Sequence, residues 1–502
     1  MCLDHCGRRT ALAATARACR VPCNAQACHE RGPLAGMAWK SRTYTPQTTS
    51  GTGSIVERVA QLLDSESENF SHRHALVRLW MLASNDQRLN GWEQVANETT
   101  IPPHYAAFLN QLQDEEPIQR QAILAQPLAL IRALDDYLAS TTPLDSQSAS
   151  TSRDAYVINE DGKGYWLVPV ALAARRQAAM NRQPARLARW FHHHAALPAR
   201  TAHGIEVTAA LSRSALNTAL ENLSTQARGQ LKAWIAHFDD GADVVWDQKI
   251  SPIANWRTLS VQPHATRQDA VLQTLAAAAQ AGAQVVVFPE FTLDLQHRDQ
   301  LATYLRQNPS GIQLVVAGAF HEPAAASDPS VAYNTAPVFT GSGRKLFVHR
   351  KLRLFGRNDV GAECAQVGNS LHVLITPIGC MTILICKDFL DEHPRVDNLL
   401  AEVPVDWVWV PSYGDETTLK GHKERARKLA TVTTGTSCAV AQTQNTAMKK
   451  SGETQALLPG FGHPAGKNVP CDVPASGGLV VFGLERQPAP VKATRPRLKR
   501  VK

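Results

Sequence analysis

The chain has 502 residues, of which 44% are hydrophobic, so it is long enough for two domains with packed cores. No apolar run approaches the ~18 residues of a membrane-spanning helix, so we predict no membrane partner. The net charge of +8 lies mainly at the two ends, and residues 492–502 alone carry six Lys or Arg. We expect the basic tail, residues 487–502, to be disordered, and we expect no nucleic-acid partner apart from this tail.

The first 53 residues are rich in cysteine but poor in apolar structure. Five of the ten cysteines lie within the first 28 residues, without the paired knuckles and intervening core that a zinc site needs. We predict that residues 1–53 are a disordered start and linker, with Met37 as the true start of translation. A metal-binding arm or a targeting segment is the alternative.

Residues 54–245 are predicted to be mostly helical. Apolar residues recur at helical spacing around 76–81, 105–112 and 130–138, and a polar linker occupies 139–154. The region carries no recognisable catalytic motif, so it is either a regulatory or partner-binding module or a packing extension.

Three further features complete this N-terminal region. The segments around 156–158 and 165–168 predict a short hairpin, and a long helix is expected at 213–238. Residues 192–194 are three consecutive histidines. Adjacent side chains do not easily converge on one ion, so we interpret them as a surface loop and predict no metal site.

The C-terminal half places three chemically active residues at the ends of apolar runs. Glu290 follows the run 285–288, and Cys386 follows the run 383–385. Lys351 lies between them in a basic segment. Such apolar runs are typical of buried parallel strands, whose ends are where layered α/β proteins place catalytic groups.

An acid, a cation and a thiol suffice for acyl transfer through a thioester. A free thiol titrates near pH ~8.5, so a base that accepts its proton is needed at neutral pH. Glu290 is the candidate base, and Lys351 is the candidate stabiliser of the oxyanion. We also expect the nearby charges to raise the thiolate fraction of Cys386. A free catalytic thiol suits a reducing compartment, so a cytoplasmic location is expected.

The order and flanking sequences of these residues resemble the nitrilase, or carbon–nitrogen hydrolase, superfamily. The similarity includes the strand at 259–262, the segment 333–335 before the lysine, and Pro411-Ser412 after a further apolar strand. The resemblance implies a domain at 253–486 with an α/β fold, a four-layer α-β-β-α sandwich, and assembly into a dimer or larger homo-oligomer. It also implies a second glutamate that hydrogen-bonds the lysine, for which Glu363 is the best match.

The predicted reaction is hydrolysis of a non-peptide carbon–nitrogen bond in a small amide or carbamoyl compound, with a nitrile as a less favoured substrate. No cofactor or metal is expected. Substrate-pocket candidates are Lys387, Asp388, Ser412 and Tyr413. Two alternatives remain open: acyl transfer to an amine, and a non-enzymatic scaffold in which the N-terminal region is the binding module.

Overall fold

The structure is a computed structural model that describes residues 75–80, 127–141, 164–169, 194–211, 219–220, 228–238, 243–249, 255–325, 328–357, 361–390, 396, 399–403, 405–414, 416–430, 436–444, 461–462 and 477–485. The predictions for residues 1–53, the Met37 start, the helix at 105–112, the strand at 156–158 and the tail at 487–502 lie outside these ranges.

Five α-helices, one 3-10 turn and nineteen strands have defined bounds in the described ranges. In chain order they are α1 (Pro127–Thr141), β1 (Tyr165–Pro169), β2 (His194–Pro198), β3 (Glu206–Leu211), β4 (Arg228–Ile235), β5 (Val244–Lys249), β6 (Asn255–Val261), α2 (His264–Gln280), β7 (Val285–Val287), α3 (Leu295–Gln307), β8 (Leu314–Val316), β9 (Phe320–Ala325), β10 (Asp328–Thr340), β11 (Lys345–Arg350), β12 (Gly356–Arg357), β13 (Gly361–Glu363), β14 (Ser370–Thr376), β15 (Gly379–Ile383), the 3-10 turn (Cys386–Asp388), α4 (Leu399–Glu402), β16 (Trp407–Gly414), α5 (Glu416–Lys428), β17 (Ser437–Gln444), β18 (Phe461–Gly462) and β19 (Gly478–Glu485).

Two large sheets form the centre of the fold. The first has the strand order β11-β10-β8-β7-β4-β19, with β9 paired to β10, and the second has the order β18-β17-β16-β15-β14-β3. Their inner faces pack on each other through apolar side chains such as Val285 and Val287 from the first sheet and Ile383 and Trp409 from the second. Burial of these side chains removes apolar surface from water on both sheets at once.

Helices cover the outer faces of both sheets. Val271 of α2 and Leu301 of α3 pack against Val286 and Val315 on the first sheet. Leu419 of α5 packs against Val408 and neighbouring residues on the second sheet. The result is a layered α/β fold in the order helix, sheet, sheet, helix, as predicted for this part of the chain.

Two smaller sheets flank this core. Strands β12-β13-β6-β5 form a four-stranded sheet, and β1 pairs with β2 in antiparallel register from Tyr165↔Pro198 to Pro169↔His194. The predicted strand around 165–168 is therefore present, and His194–Pro198 is its partner. Within the described ranges, no helix is both long and apolar enough to cross a bilayer.

The predicted helix at 213–238 is wrong over residues 228–235, which form strand β4. This strand runs parallel to β7 and antiparallel to β19 in the middle of the first sheet. Leu231, Ala233 and Ile235 face the core between the sheets, whereas Trp234 faces the helices. Exposed Gln230 and half-buried Lys232 alternate with buried residues, but Trp234 is buried as well, so the apolar residues of the segment also fit a helical period.

The sheets also extend beyond the domain boundary predicted at residue 253. Strand β3 pairs in parallel with β14, and β5 pairs antiparallel with β6. Strands β3 and β4 thus belong to the two large sheets, and β5 belongs to the four-stranded sheet beside them. Helical structure N-terminal to them is described at 75–80 and in α1, where Leu130, Ile131, Leu134 and Leu138 are buried as their spacing predicts.

Candidate active site

Glu290 lies three residues beyond the end of β7 and is almost completely buried. Its backbone N–H donates to Ser412 O (3.2 Å), which ties the end of the first sheet to the second. The next residue, Phe291, has a left-handed φ of 61° and donates its N–H to Ala319 O (2.6 Å). A Cβ at Gly318 would meet Pro289 O at 2.2 Å, so the turn that carries Glu290 requires glycine there.

Lys351 follows β11 directly and is also buried. Its Nζ donates to Glu290 Oε1 (2.8 Å) and to Glu363 Oε2 (2.9 Å). The second glutamate predicted from the family pattern therefore contacts the lysine. Burial alone would lower the pKa of Lys351, but the two carboxylates outweigh it and raise that pKa well above its ordinary value.

Cys386 begins the 3-10 turn after β15, with a left-handed φ of 46°. This conformation costs a non-glycine residue about 1–3 kcal/mol, so surrounding contacts must hold it. Asp388 supplies several of them, because its carboxylate accepts from the backbone N–H groups of Ile385 (3.2 Å), Leu352 (3.0 Å) and Arg353 (2.7 Å). The cysteine turn and the lysine loop are thereby joined through one side chain.

The thiol of Cys386 is protonated in the resting site. It lies 3.7 Å from Tyr413 O, to which it donates. Burial, reinforced by the nearby Glu290 carboxylate and only partly offset by Lys351, raises the pKa of Cys386 to about 12. The expectation that nearby charge would raise the thiolate fraction is therefore wrong, because desolvation outweighs the lysine. A base must remove the proton as the sulfur attacks.

The two glutamates differ in how many donors surround them. Glu363 accepts four hydrogen bonds, from Asn334 Nδ2 (2.7 Å), His321 Nε2 (3.1 Å), Lys351 Nζ (2.9 Å) and Phe355 N (2.9 Å). Although burial alone would raise the pKa of Glu363, these contacts and the lysine charge lower it, so this carboxylate stays ionised.

Glu290 accepts fewer hydrogen bonds than Glu363. Its Oε1 accepts from Lys351 and from Asn334 Nδ2 (2.8 Å), and among the described residues no hydrogen bond reaches its Oε2. Burial and the Glu363 charge raise the pKa of Glu290 against the opposing effect of Lys351. Of the two carboxylates, Glu290 is the one that can accept a proton.

Sequence analysis did not assign site roles to Asn334, His321 and His422. Asn334 was part of the segment 333–335 that supported the family resemblance, so its motif was visible although its role was not. His321 bonds Glu363 across 42 residues of sequence, and His422 of α5 lies with its Nε2 3.1 Å from Cys386 O. No pattern within the sequence signals these two contacts.

An aromatic cluster adjoins the charged residues. It comprises Trp246, Trp256, Phe291 and Tyr413, whose ring centroids lie 5.2–5.9 Å apart in five of their pairs. Phe291 follows Glu290 in sequence, and the backbone carbonyl of Tyr413 accepts from the Cys386 thiol. Trp246 comes from β5, which lies before the predicted domain boundary.

The four predicted pocket residues have different surroundings. Asp388 is buried and uses both carboxylate oxygens to bind backbone, so its role is structural. Ser412 is buried, and its hydroxyl faces the Cys386 thiol and Gln442 Oε1 (3.3 Å). Lys387 is half-buried with its Nζ 6.0 Å from the Phe355 ring centroid, and Tyr413 belongs to the aromatic cluster.

A second cluster contains residues that could ligate a metal: half-buried His264 and buried Asp294 and His297. The ring nitrogens of His297 already face two acceptors, Asp294 Oδ1 (2.7 Å) and the His264 carbonyl (3.2 Å). Both ring nitrogens of His297 are therefore already engaged in hydrogen bonds within the cluster. Elsewhere, His194 of the predicted histidine loop lies in β2, 2.8 Å from Asp135.

The fold and this constellation define a layered α/β protein with a buried Glu-Lys-Cys site. Residues 254–392 match the carbon–nitrogen hydrolase family model, which supports a carbon–nitrogen hydrolase region in this C-terminal part of the chain. No curated protein matches the chain.

Solved structures with a similar arrangement include amidases of Nesterenkonia. One amidase from Nesterenkonia sp. is 18% identical to this chain, with a TM-score of 0.36. The match covers 50% of this chain and 89% of the amidase chain. A mutant of the strain AN1 amidase in complex with acrylamide is 17% identical, with coverages of 52% and 91% and a TM-score of 0.36. The C. elegans NitFhit protein is also 17% identical, with coverages of 52% and 62% and a TM-score of 0.38.

Proposed function

We propose that the chain is an amidase-type carbon–nitrogen hydrolase in which Cys386 is the nucleophile. The observation that carries this proposal is the convergence of a buried thiol, a carboxylate of raised pKa and a buried ammonium group in one site. Perturbed titratable groups that meet in this way are typical of catalytic sites. An amide or carbamoyl compound is the favoured substrate, and a nitrile is less favoured.

In the first half of the reaction, Cys386 Sγ attacks the carbonyl carbon as its proton passes to Glu290 Oε2. Lys351 Nζ and a backbone N–H near Lys387 stabilise the oxyanion of the tetrahedral intermediate. Glu290 then gives the proton to the leaving nitrogen, the carbon–nitrogen bond breaks, and ammonia or an amine departs. The acyl group is left as a thioester on Cys386.

In the second half, Glu290 takes a proton from water as the water oxygen attacks the thioester carbon. The carbon–sulfur bond breaks, the sulfur takes up the proton, and the carboxylic acid leaves. If an amine replaces water, the product is a new amide, which is the acyl-transfer alternative. Glu363 stays ionised throughout and holds the ammonium group of Lys351 in place.

The aromatic cluster supports a preference for substrates with flat or apolar acyl groups. Phe291 follows Glu290 directly, and the Tyr413 carbonyl accepts from the Cys386 thiol. Aromatic side chains such as these favour offset or edge-to-face contacts with other flat groups. We therefore expect an arylamide to be hydrolysed faster than acetamide.

The test is ammonia release from a panel of aryl and aliphatic amides, carbamoyl compounds and nitriles, with mass spectrometry of the intact protein. We expect turnover of at least one amide and an acyl adduct on Cys386, both absent in Cys386→Ala. Turnover in Cys386→Ala would contradict the proposed nucleophile. Amide formation with added amine, but no free acid, would favour acyl transfer. A folded wild-type chain that neither turns over nor acylates would favour the scaffold alternative.

A further inference from the structure

We propose that His321 is a positioning residue whose hydrogen bond to Glu363 leaves Lys351 and Asn334 shared between the two glutamates. The inference rests on the proposed function, because it concerns the choice of proton acceptor in the same site. His321 lies on β9 and is buried.

The backbone fixes which nitrogen of His321 carries the proton. Nδ1 accepts from the Thr258 backbone N–H (2.9 Å) and lies 2.8 Å from Thr258 Oγ1. The Thr258 oxygen in turn accepts from His321 N (3.4 Å), so its hydroxyl proton is directed towards Nδ1. Because a backbone N–H can only donate, the neutral ring holds its proton on Nε2, which donates to Glu363 Oε1 (3.1 Å).

The ring is also held by its neighbours. Phe291 stacks on it with centroids 5.5 Å apart and planes at 23°, and Trp256 meets it edge-on at 6.1 Å. Phe291 is the residue after Glu290, so His321 lies close to both glutamates. Of the two glutamates, only Glu363 forms a described hydrogen bond with His321.

The sharing of donors between the glutamates is nearly even. Lys351 Nζ lies 2.8 Å from Glu290 and 2.9 Å from Glu363, and Asn334 Nδ2 lies 2.8 Å and 2.7 Å from the same two carboxylates. Without the His321 donor, Glu363 would draw both shared groups towards itself. Glu290 would then lose donors and take up a proton at higher pH.

In the described part of the chain, few charged groups surround Glu290 and His321. Lys351, Glu363 and Cys386 interact electrostatically with Glu290, and Glu363 is the ionisable partner of the His321 ring. A pH profile of the Cys386 reaction should therefore report the protonation of Glu290.

The experiment measures the rate at which iodoacetamide alkylates Cys386 in the full chain between pH 4 and 9, with peptide mapping by mass spectrometry. In His321→Asn, the amide can still accept from Thr258 N but is too short to reach Glu363. We expect the acid limb of its profile to move up by about one pH unit, since a hydrogen bond to a charged group is lost. His321→Gln can reach Glu363 and should restore most of the profile.

His372→Asn is the matched control, because His372 is a histidine on β14 beside Phe347 with no described hydrogen bond to the glutamates. It should leave the acid limb unchanged. An unmoved limb in folded His321→Asn, or equal shifts in the Asn and Gln variants, would overturn the proposal.

If His321→Asn does not fold, nitrogen NMR of the wild-type protein can identify which ring nitrogen of His321 carries the proton. A proton on Nε2 alone at neutral pH supports the proposal, and a proton on Nδ1 contradicts it. Alkylation requires no turnover. A chain that shows the predicted shift but hydrolyses no amide would therefore refute the proposed function and leave this inference intact.

Discussion

Two buried ionic clusters lie within a few residues of each other in sequence and differ in their charge and in their hydrogen bonding. The catalytic cluster contains Glu290, Lys351 and Glu363, whereas the cap cluster contains Asp294 and His297 at the start of α3. In the cap cluster, Asp294 Oδ1 accepts from His297 N (3.1 Å) and Nδ1 (2.7 Å), and Oδ2 accepts from Val261 N (2.9 Å). Both oxygens of this single carboxylate therefore accept hydrogen bonds.

The catalytic cluster has two carboxylates for one cation, and one of its carboxylate oxygens, Glu290 Oε2, has no hydrogen-bond partner among the described residues. A buried network whose polar atoms are all satisfied stabilises one conformation. A network with surplus negative charge beside a thiol is instead prepared to accept a proton.

Lys351→Met should produce the largest loss. It leaves Glu290 and Glu363 buried without their cation, which typically costs about 3–5 kcal/mol of stability. It also removes an oxyanion donor, worth about 10²–10³ in rate. Urea unfolding and amide turnover measure the two effects, and Lys345→Met, at an exposed lysine on β11, is the control.

The stability lost in Lys351→Met should be partly regained as the pH falls, because protonation removes the uncompensated charge of Glu290, whose pKa is already raised. If the loss in free energy of unfolding is the same at pH 7 and pH 4, the charge of Glu290 is not what destabilises the variant.

Gly318→Ala should affect both stability and rate. Its Cβ would overlap Pro289 O, and Gly318 has a left-handed φ of 64°. We expect a loss of about 1–3 kcal/mol from the displaced backbone, with slower turnover because Glu290 moves. Gly311→Ala is the control, since a Cβ there meets no atom within 4 Å. If Gly318→Ala is destabilised but keeps a normal kcat, the conformation of this turn does not control the catalytic position of Glu290.

Asp294→Asn should reduce stability without changing the pH profile of turnover. Although burial opposes it, hydrogen bonding to His297 and the backbone lowers the pKa of Asp294 to about 2 from 3.8. The depressed pKa contributes about 2 kcal/mol of stability above pH 4, which is lost as the pH falls towards 2. Urea unfolding should therefore show the wild type and variant converging in acid.

For that comparison, Asp299→Asn at an exposed position of α3 should leave stability almost unchanged. A shift of the turnover profile in Asp294→Asn would mean that the cap cluster is coupled to the chemistry.

Cys364→Ser should have the smallest effect. Cys364 is exposed and follows Glu363 directly. Its described contact to the site is through the backbone, whose N–H donates to Trp256 O (2.7 Å), and a serine would keep this bond. Its thiol should be alkylated like an ordinary surface cysteine, without loss of turnover. The check is activity after replacement. A fall of more than about twofold would assign Cys364 a role that the geometry does not indicate.

The sequence predicted Glu290 and Cys386 because each follows an apolar strand, and strand ends converge in a layered fold. Lys351 was identified from its basic segment and the family pattern. Glu363 was found only through the family pattern. His321 and Asn334 were not assigned because their roles depend on contacts between segments that are distant in sequence. The helix predicted over β4 failed for a related reason: Leu231, Trp234, Ile235 and Phe238 have helical spacing, yet cores on both faces of the strand bury them.

The position of β4 between β7 and β19 has a consequence for how this protein can be divided. A fragment that starts at residue 253 would lack the strand on which β7, and hence Glu290, is aligned through the register Ala233↔Val285 to Ile235↔Val287. It would also lack Trp246. We therefore expect that the hydrolase region does not fold alone from residue 253. A gene fusion that transfers this region would need to include residues 206–249.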